Sequence, residues 1–226
     1  MSANPLRRDP FFFLFHILML TIVVLGFAIN AIFNTENLPP ISTLIIVHSA
    51  FMISWFLLVI IQSGLIRGNK VAVHKKIGKL SIVLAIGIVV SGIILSFSSY
   101  ARRGLAPNVM VNLINIVSFT ILYALALYYY KYPTKHKRLI TFASLALILP
   151  ALLRLVTALN FSPLLSILFL IILIVMLVIH DKKTLKKVSR ATMIGMVVVF
   201  IGIGLIAGFG QSESWASFLA NTLGNG

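Results

Sequence analysis

Long apolar runs recur along the whole chain and are separated by short polar segments. Most runs are about 20 residues long, which is the length that an α-helix needs to cross the hydrocarbon core of a bilayer. They lack the alternation of apolar and polar residues that is typical of a membrane β-barrel. Seven runs are present, at residues 11–33, 41–66, 77–97, 109–130, 139–159, 163–180 and 191–209. The pattern predicts an all-α, polytopic membrane protein with seven transmembrane helices.

These spans leave little chain for any other domain. We expect an N-terminal segment at residues 1–10, a single transmembrane domain at residues 11–209 and a short tail at residues 210–226. The first span is too long for a signal-peptide core and lacks a small-residue cleavage site, so we expect it to remain as an anchor. In the tail, Trp215, Phe218 and Leu219 share one helix face. That spacing favours a short helix on the outer interface, with a frayed end as the alternative.

The composition agrees with a membrane protein. The chain of 226 residues is 60% hydrophobic and 10% charged, with a mean hydropathy of +1.07, whereas soluble domains are about 25% charged. The sequence contains no cysteine. Its absence excludes a disulfide scaffold, a cysteine nucleophile and a thiolate metal site.

Positive charge is distributed unevenly between the predicted loops. Of the 19 Lys and Arg residues, Arg102 and Arg103 fall on one side, Arg154 lies within a span, and the rest flank the opposite side. Basic loops stay on the cytoplasmic side of a membrane, so we expect a cytoplasmic N-terminus and an exterior C-terminus. The net charge of +15 is then mainly a topology signal. It indicates attraction to anionic lipids at the cytoplasmic face and argues against nucleic-acid binding.

Polar side chains within the spans mark candidate sites, because such groups are costly in hydrocarbon. On the second predicted span, His48, Trp55 and Gln62 follow one another at intervals of seven residues. Seven residues are within about 20° of two helical turns, so the three form one stripe. The stripe fits either a hydrogen-bonded seam between helices or one wall of a binding site.

A second group of polar residues is expected at the depth of His48, in the outer leaflet, with a continuation toward the cytoplasmic side. It comprises Asn112, Asn115, Tyr123 and Arg154. No Asp or Glu lies inside a predicted span, so Arg154 needs a loop carboxylate, backbone carbonyls, a lipid phosphate or an anionic ligand as its partner. Pro150, one turn earlier, is expected to kink the helix. A structural arginine that extends toward the interface is the alternative to a binding site.

The other four histidines lie near the cytoplasmic ends of predicted spans, and they are His16, His74, His136 and His180. Imidazoles on different helices at a matched depth could ligate a metal ion or a haem. His74 and His136 lie among lysines, so solvation at the interface is the alternative explanation for them.

Several functional classes lack their chemistry in this sequence. The seventh predicted span has no lysine for a retinal Schiff base, and no HExxH, GxSxG or Walker signature is present. The absence of carboxylates from the spans argues against an ordinary proton- or sodium-coupled carrier. Whether the protein is an enzyme stays open at this point.

An ordered set of residues resembles a widespread group of uncharacterised bacterial seven-span membrane proteins. The set is His48, Met52, Trp55, Gln62, His74, Gly78, His136, Lys137, Arg138, Arg154, Asp181 and Trp215. The resemblance implies a multi-pass protein of the bacterial cytoplasmic (inner) membrane. Members often carry a histidine several residues after the Asp, where this chain has Ser189.

The part from His48 to His74 is also similar, more distantly, to ascorbate-reducible transmembrane cytochromes b. That resemblance implies haem b held by histidine pairs and would nominate these two residues. The outer layer has a single histidine, so only the cytoplasmic-side cluster could supply two haem ligands.

Two hypotheses from different classes follow. The first is a binding, transport or accessory protein whose outer-leaflet pocket holds an anionic small molecule or a lipid headgroup. The second is a membrane redox or electron-transfer protein that binds haem b or a metal ion through the cytoplasmic-side histidines. Under either hypothesis the chain could act alone or as a subunit of a larger membrane complex.

Overall fold

The computed structural model describes residues 9–38 and 40–223, and this part of the chain contains helices and no strand. Arg7 and Arg8, which belong to the basic side in the topology prediction, lie outside the described residues. The α-helices are α1 (Phe11–Phe33), α2 (Thr43–Arg67), α3 (Val71–Gly78), α4 (Leu80–Arg103), α5 (Ala106–Tyr128), α6 (Pro133–Ala146), α7 (Leu149–Ala158), α8 (Leu164–Leu185), α9 (Arg190–Gly208) and α10 (Glu213–Leu223). A short 3-10 helix follows α1 at Thr35–Asn37.

The all-α prediction is confirmed for the described residues, and the long apolar helices are compatible with a polytopic membrane protein. Six spans of helix are long and apolar enough to cross a membrane, or seven if the bent pair of α6 and α7 is one span. The first predicted span coincides with α1, whereas the third extends beyond its predicted bounds, over Val71–Arg102. Many large apolar side chains on these helices are exposed, as expected of surfaces that face lipid.

The fifth predicted span is broken between α6 and α7, which meet at an angle of 41°. Pro150 lies in the first turn of α7 and has no N–H to donate to the carbonyl of Ala146, four residues earlier. The kink expected from Pro150 is therefore confirmed. It redirects the half of the span that carries Arg154.

The second half of this span packs very closely against α1. A Cβ atom placed on Gly26 would lie 2.3 Å from the Ala151 carbonyl oxygen. A glycine is required here because any side chain would separate the two helices. The core at the centre of the bundle is built from fully buried apolar side chains, including Trp55, Phe119 and Phe142.

Contacts between helix ends bring most of the basic loops together. His16 near the start of α1 lies against Ser63 near the end of α2 and Thr141 in α6, while Asp9 meets His180 at the end of α8. We call this the basic end: the starts of α1, α6 and α9 together with the ends of α2, α5 and α8. We call the opposite end, where α2, α5 and α8 begin, the far end.

The tail forms the helix α10 and returns to the bundle. Trp215 Nε1 donates a hydrogen bond of 2.9 Å to the Ala106 carbonyl at the start of α5. Trp215 and Leu219 are buried, whereas Phe218 is 58% exposed. The helix expected in the tail is therefore present, and it is attached to the far end of the bundle.

Candidate functional site

The middle of the predicted polar stripe is part of the packed core. Trp55 is fully buried, and its Nε1 donates to the Ser144 hydroxyl at 3.1 Å. Its indole meets the rings of Phe119 and Tyr123 edge to face. The Tyr123 hydroxyl in turn lies 2.7 Å from the Ser81 hydroxyl. Trp55 and Tyr123 thus join α2, α4, α5 and α6, and the structure gives both a structural role.

The lower end of the stripe contacts the short helix α3. Gln62 Oε1 accepts a hydrogen bond from the Gly78 amide at 2.9 Å. Its Nε2 donates to the His74 carbonyl at 3.1 Å and also lies against His74 Nδ1. Gln62 therefore lies at the basic end, away from His48. The stripe joins α2 to different neighbours along its length, which is the arrangement of an interhelical seam.

His48, at the top of the stripe, lies in a tight junction of three helices. Its Nδ1 is 2.9 Å from the Ser91 hydroxyl on α4. A Cβ atom on the neighbouring Gly92 would lie 3.2 Å from His48 Cε1 and 2.9 Å from Ile116 Cδ1 of α5. Asn112 comes one helical turn before Ile116, so it lies on the same face of α5, one turn nearer the far end.

Arg154 approaches the same region from α7. Its guanidinium lies over the Phe27 ring of α1, 4.8 Å from the ring centroid, and Nη1 donates to the Pro150 carbonyl at 2.9 Å. It is also close enough to His48 to act on that imidazole electrostatically. The structure thus places Arg154 within electrostatic range of His48, two of the residues predicted to share a layer.

Asn115 does not join this pair. It is buried on the face of α5 that meets α7, α8 and α9, and its Nδ2 has no hydrogen-bond partner among the described residues. The adjacent cavity, which is lined also by Ser118 and Gly202, has a volume of about 10 Å³. That space accommodates one water molecule at most, so Asn115 does not belong to a ligand pocket with Arg154.

Two of the four histidines at the basic end are held by protein contacts. His16 is buried, with Nδ1 3.3 Å from the Ser63 hydroxyl and Nε2 3.1 Å from the Thr141 hydroxyl, so both ring nitrogens have partners. His180 Nε2 lies 2.5 Å from the Asp9 carboxylate, and the Phe11 ring stacks on the imidazole at 4.0 Å. Its Nδ1 atom is buried without a hydrogen-bond partner among the described residues. Both ring nitrogens of His16 are therefore engaged, whereas one ring nitrogen of His180 is not.

Asp9 lies just before the first span, and its ionisation is set by these neighbours. Burial acts to raise the pKa of Asp9, but the hydrogen bond from the Phe11 amide and the interactions with His180 and Lys137 outweigh it. The pKa of Asp9 is therefore lowered from its ordinary value of 3.8. The ionised carboxylate attaches the start of α1 to the end of α8.

A buried ion pair that the sequence reasoning missed lies beside this contact. Arg138 of α6 and Asp181 of α8 are each 1% exposed, and Arg138 Nε donates to the Asp181 carboxylate at 2.6 Å while Nη2 also contacts it. The other Asp181 oxygen accepts from the Ser189 amide at 2.9 Å and the Thr192 hydroxyl at 2.5 Å. The scarcity of acids, 4 in the whole chain, is the signal that could have found it. An acid at a span end among many cations is expected to be paired.

His74 and His136 are the remaining pair at the basic end. They are close enough for their charges to repel when both are protonated. The Nδ1 atom of His136 lies 2.8 Å from the Ala126 carbonyl, and that of His74 lies against Gln62. Contacts of this kind leave Nε2 as the ligating nitrogen of a metal-bound histidine. Within the described residues, no group of three or more His, Asp or Glu side chains is arranged to hold a metal ion.

Comparison with known proteins finds no family model, no curated protein and no solved structure that matches this chain. The candidate sites consequently rest on geometry alone. They are the junction of His48 with Arg154 toward the far end and the pair of His74 with His136 at the basic end.

Proposed function

We propose that the protein is a membrane-embedded binding, transport or accessory protein that holds a small anionic molecule or a lipid headgroup toward the far end of its bundle. The observation that carries this proposal is the placement of the Arg154 guanidinium over the Phe27 ring inside a spanning segment, within electrostatic range of His48. Both side chains are only partly buried, so both remain within reach of a ligand.

The chemistry of the junction suits an oxyanion. A guanidinium is always charged and presents its N–H donors in a plane that matches carboxylate and phosphate groups. The His48 ring is oriented through Nδ1 by Ser91, which leaves Nε2 as its second polar atom. Asn112 would add an amide donor from the same face of α5. In surroundings of low dielectric constant, such donors interact strongly with an anion.

The membrane arrangement that fits this proposal has seven spans, with the bent pair counted as one. The basic end faces the cytoplasm of a bacterial cell and the C-terminus lies outside. Its support is the accumulation of basic loops at one end of the bundle. In this arrangement the Arg154 junction opens toward the outer leaflet, where an exterior anion or a lipid headgroup has access.

The test is ligand-dependent thermal stabilisation of detergent-purified protein, with inorganic phosphate and short-chain phosphatidylglycerol as separate probes. We expect at least one probe to raise the Tm of the wild type, and Arg154→Gln and His48→Gln each to remove most of that rise. Arg102→Gln is the matched control, because Arg102 is an exposed arginine of the far end outside the junction. Stabilisation that survives Arg154→Gln, or that Arg102→Gln also removes, contradicts the proposal.

A second candidate function is favoured by the His74–His136 pair. These residues would hold haem b through their Nε2 atoms, and the haem would supply one-electron redox chemistry. Gln62 and the Ala126 carbonyl lie against the Nδ1 atoms of His74 and His136 and would orient the two rings, so that the Nε2 atoms would be left to hold the haem. It does not supply the larger ligand set of a protein-bound metal ion.

An absorption spectrum of the purified protein separates the two functions. A haem protein shows a Soret band that His74→Ala and His136→Ala each abolish, while His48→Gln at the far end preserves it. A colourless preparation that gains no band when haem is added contradicts the redox function. That result leaves the anion-binding test unaffected.

A further inference from the structure

An aromatic and basic turn at the basic end has no role in either site. The chain between α5 and α6 reads Tyr-Tyr-Tyr-Lys-Tyr-Pro over residues 128–133, and Pro133 begins α6. The turn borders an open surface pocket of about 540 Å³, lined by residues 127–132 and by Lys135. The pocket is therefore built from tyrosines and lysines of one short stretch of chain.

The two lysines are held at the pocket by the aromatic rings. Lys135 Nζ lies 4.4 Å from the ring centroid of Tyr129 and 5.1 Å from that of Tyr132, and Lys131 Nζ lies 5.7 Å from that of Tyr130. Contacts between a cation and the face of a ring are favourable at these distances. Two ammonium groups are thus positioned beside one cavity.

The positive charge of the pocket is not neutralised by acidic side chains of the protein. All 4 acids of the chain belong to its described part. Asp181 is bound to Arg138, and Asp9 is bound to His180. Glu36 and Glu213 follow α1 and α9, at the far end. Within the described residues, neither lysine of the pocket forms an ion pair with a carboxylate.

The outer rim of the pocket is aromatic and exposed. Tyr128, Tyr130 and Tyr132 are 75%, 63% and 58% exposed, although they adjoin the end of an apolar spanning helix. Tyrosine at this position is typical of the membrane–water interface, where the ring lies among headgroups and the hydroxyl reaches water. A ligand in this pocket would therefore meet lysine ammonium groups and tyrosine rings together.

We propose that this pocket binds the phosphate of an anionic phospholipid headgroup. The lysines Lys131 and Lys135 contact the phosphate, and the exposed rings of Tyr128, Tyr130 and Tyr132 lie against the glycerol and upper acyl region. The chemistry recognised is a phosphate ester. A lipid is favoured over a soluble phosphate because the pocket opens at the end of a spanning helix and its rim is aromatic. The site lies at the opposite end of the bundle from Arg154, so it stands or fails independently of the proposed function.

The test counts lipids that remain bound to the full-length protein. Protein purified in mixed micelles of phosphatidylglycerol and phosphatidylcholine is analysed by native mass spectrometry. We expect the wild type to retain phosphatidylglycerol preferentially. A lysine near a membrane surface contributes enough attraction for about a fivefold change in binding. The double variant Lys131→Gln/Lys135→Gln removes two such contributions and should lower the amount of bound phosphatidylglycerol about 25-fold.

Matched variants separate the pocket from general surface charge. Lys182→Gln/Lys183→Gln removes the same charge from exposed positions at the same end and should retain the lipid. Tyr132→Leu keeps both charges and should lower retention, because it removes a ring that holds Lys135. Equal loss in the two double variants overturns the proposal. Preferential binding of glycerol 3-phosphate over phosphatidylglycerol also overturns the proposal, because the pocket would then bind a soluble phosphate ester.

Discussion

The two ends of the bundle use their polar residues differently. At the basic end, polar side chains are bonded mostly to one another, as in the Arg138–Asp181–Thr192 network and the His16–Thr141 contact. Toward the far end, His48 Nδ1 meets the Ser91 hydroxyl. Among the described residues, the Asn115 amide nitrogen has no partner, and neither has His180 Nδ1 at the basic end. These bonds give most of the polar interior of the basic end a structural role. The far end carries the half-buried His48 and Arg154, on which the proposed anion site depends.

This comparison changes how a polar residue in a membrane helix is interpreted. An intramembrane histidine or arginine is a candidate functional residue by default, yet His16 and Arg138 are accounted for by their hydrogen bonds. The useful criterion is whether every polar atom of the side chain already has a hydrogen-bond partner among the described residues. By that criterion His48 and His180 remain candidates, the latter because its Nδ1 has no partner among the described residues, and His16 does not.

The largest effect is expected from breaking the buried ion pair of the basic end. Arg138→Met leaves the Asp181 carboxylate buried without its cation, which should lower the free energy of unfolding by about 3–5 kcal/mol. Denaturation by SDS, followed by circular dichroism, measures the loss. Arg138→Met/Asp181→Asn removes both charges and should recover a large part of it. A single variant as stable as the wild type would show that this end does not depend on the pair.

A smaller effect is expected at the crossing of α1 and α7. Gly26→Ala places a methyl group against the Ala151 carbonyl oxygen, so it should cost about 1–3 kcal/mol through overpacking. Because Phe27 and Arg154 lie at the same crossing, the variant should also weaken the anion-dependent rise in Tm.

The matched control for this change is Gly204→Ala. A Cβ atom on Gly204 meets no atom within 4 Å, and alanine is the better helix former, so its stability should be unchanged or slightly higher. Equal destabilisation by both alanines would contradict a close crossing at Gly26.

The smallest effect concerns the Asp9–His180 contact and its pH dependence. The pKa of Asp9 is lowered in the folded protein, so its stabilising contribution is complete above the unfolded pKa. The contribution disappears as the pH falls through the folded value. Asp9→Asn should therefore lower the Tm at neutral pH. The corresponding loss in free energy of unfolding should be less than about 1 kcal/mol, because the pair is partly exposed.

The same variant should match the wild type in strong acid, where Asp9 is protonated in both folded and unfolded chains. Thermal melts across a series of pH values measure the difference. A gap between the two proteins that persists unchanged into strong acid would assign the effect of Asp9→Asn to something other than ionisation.

Features that depend on neighbouring residues in the chain could be predicted. The bounds of α1 follow from an uninterrupted apolar run, and the bend between α6 and α7 follows from the missing N–H of Pro150. The short helix of the tail follows from the spacing of Trp215 and Leu219. Each results from local geometry, so the amino-acid order was sufficient.

The partners of the candidate site residues depended on how the helices pack. Depth along a helix follows from counting residues, and it placed Asn115 in the same layer as Arg154. The direction in which a side chain points also depends on the rotation of its helix. Asn115 consequently faces α9, while Arg154 lies near His48. The distance along the sequence did not indicate that Asn115 would face α9 or that Arg154 would lie near His48.

The amino-acid sequence by itself therefore determined the helical class, the apolar spans, the kink and the uneven charge of this protein, because hydrophobicity and backbone chemistry act over one or two turns. The tertiary structure decided which polar groups meet. It joined Arg138 to Asp181 and brought His48 near Arg154. The physical reason is that packing sets the rotation and separation of whole helices, so a contact between two of them depends on the side chains of the entire bundle.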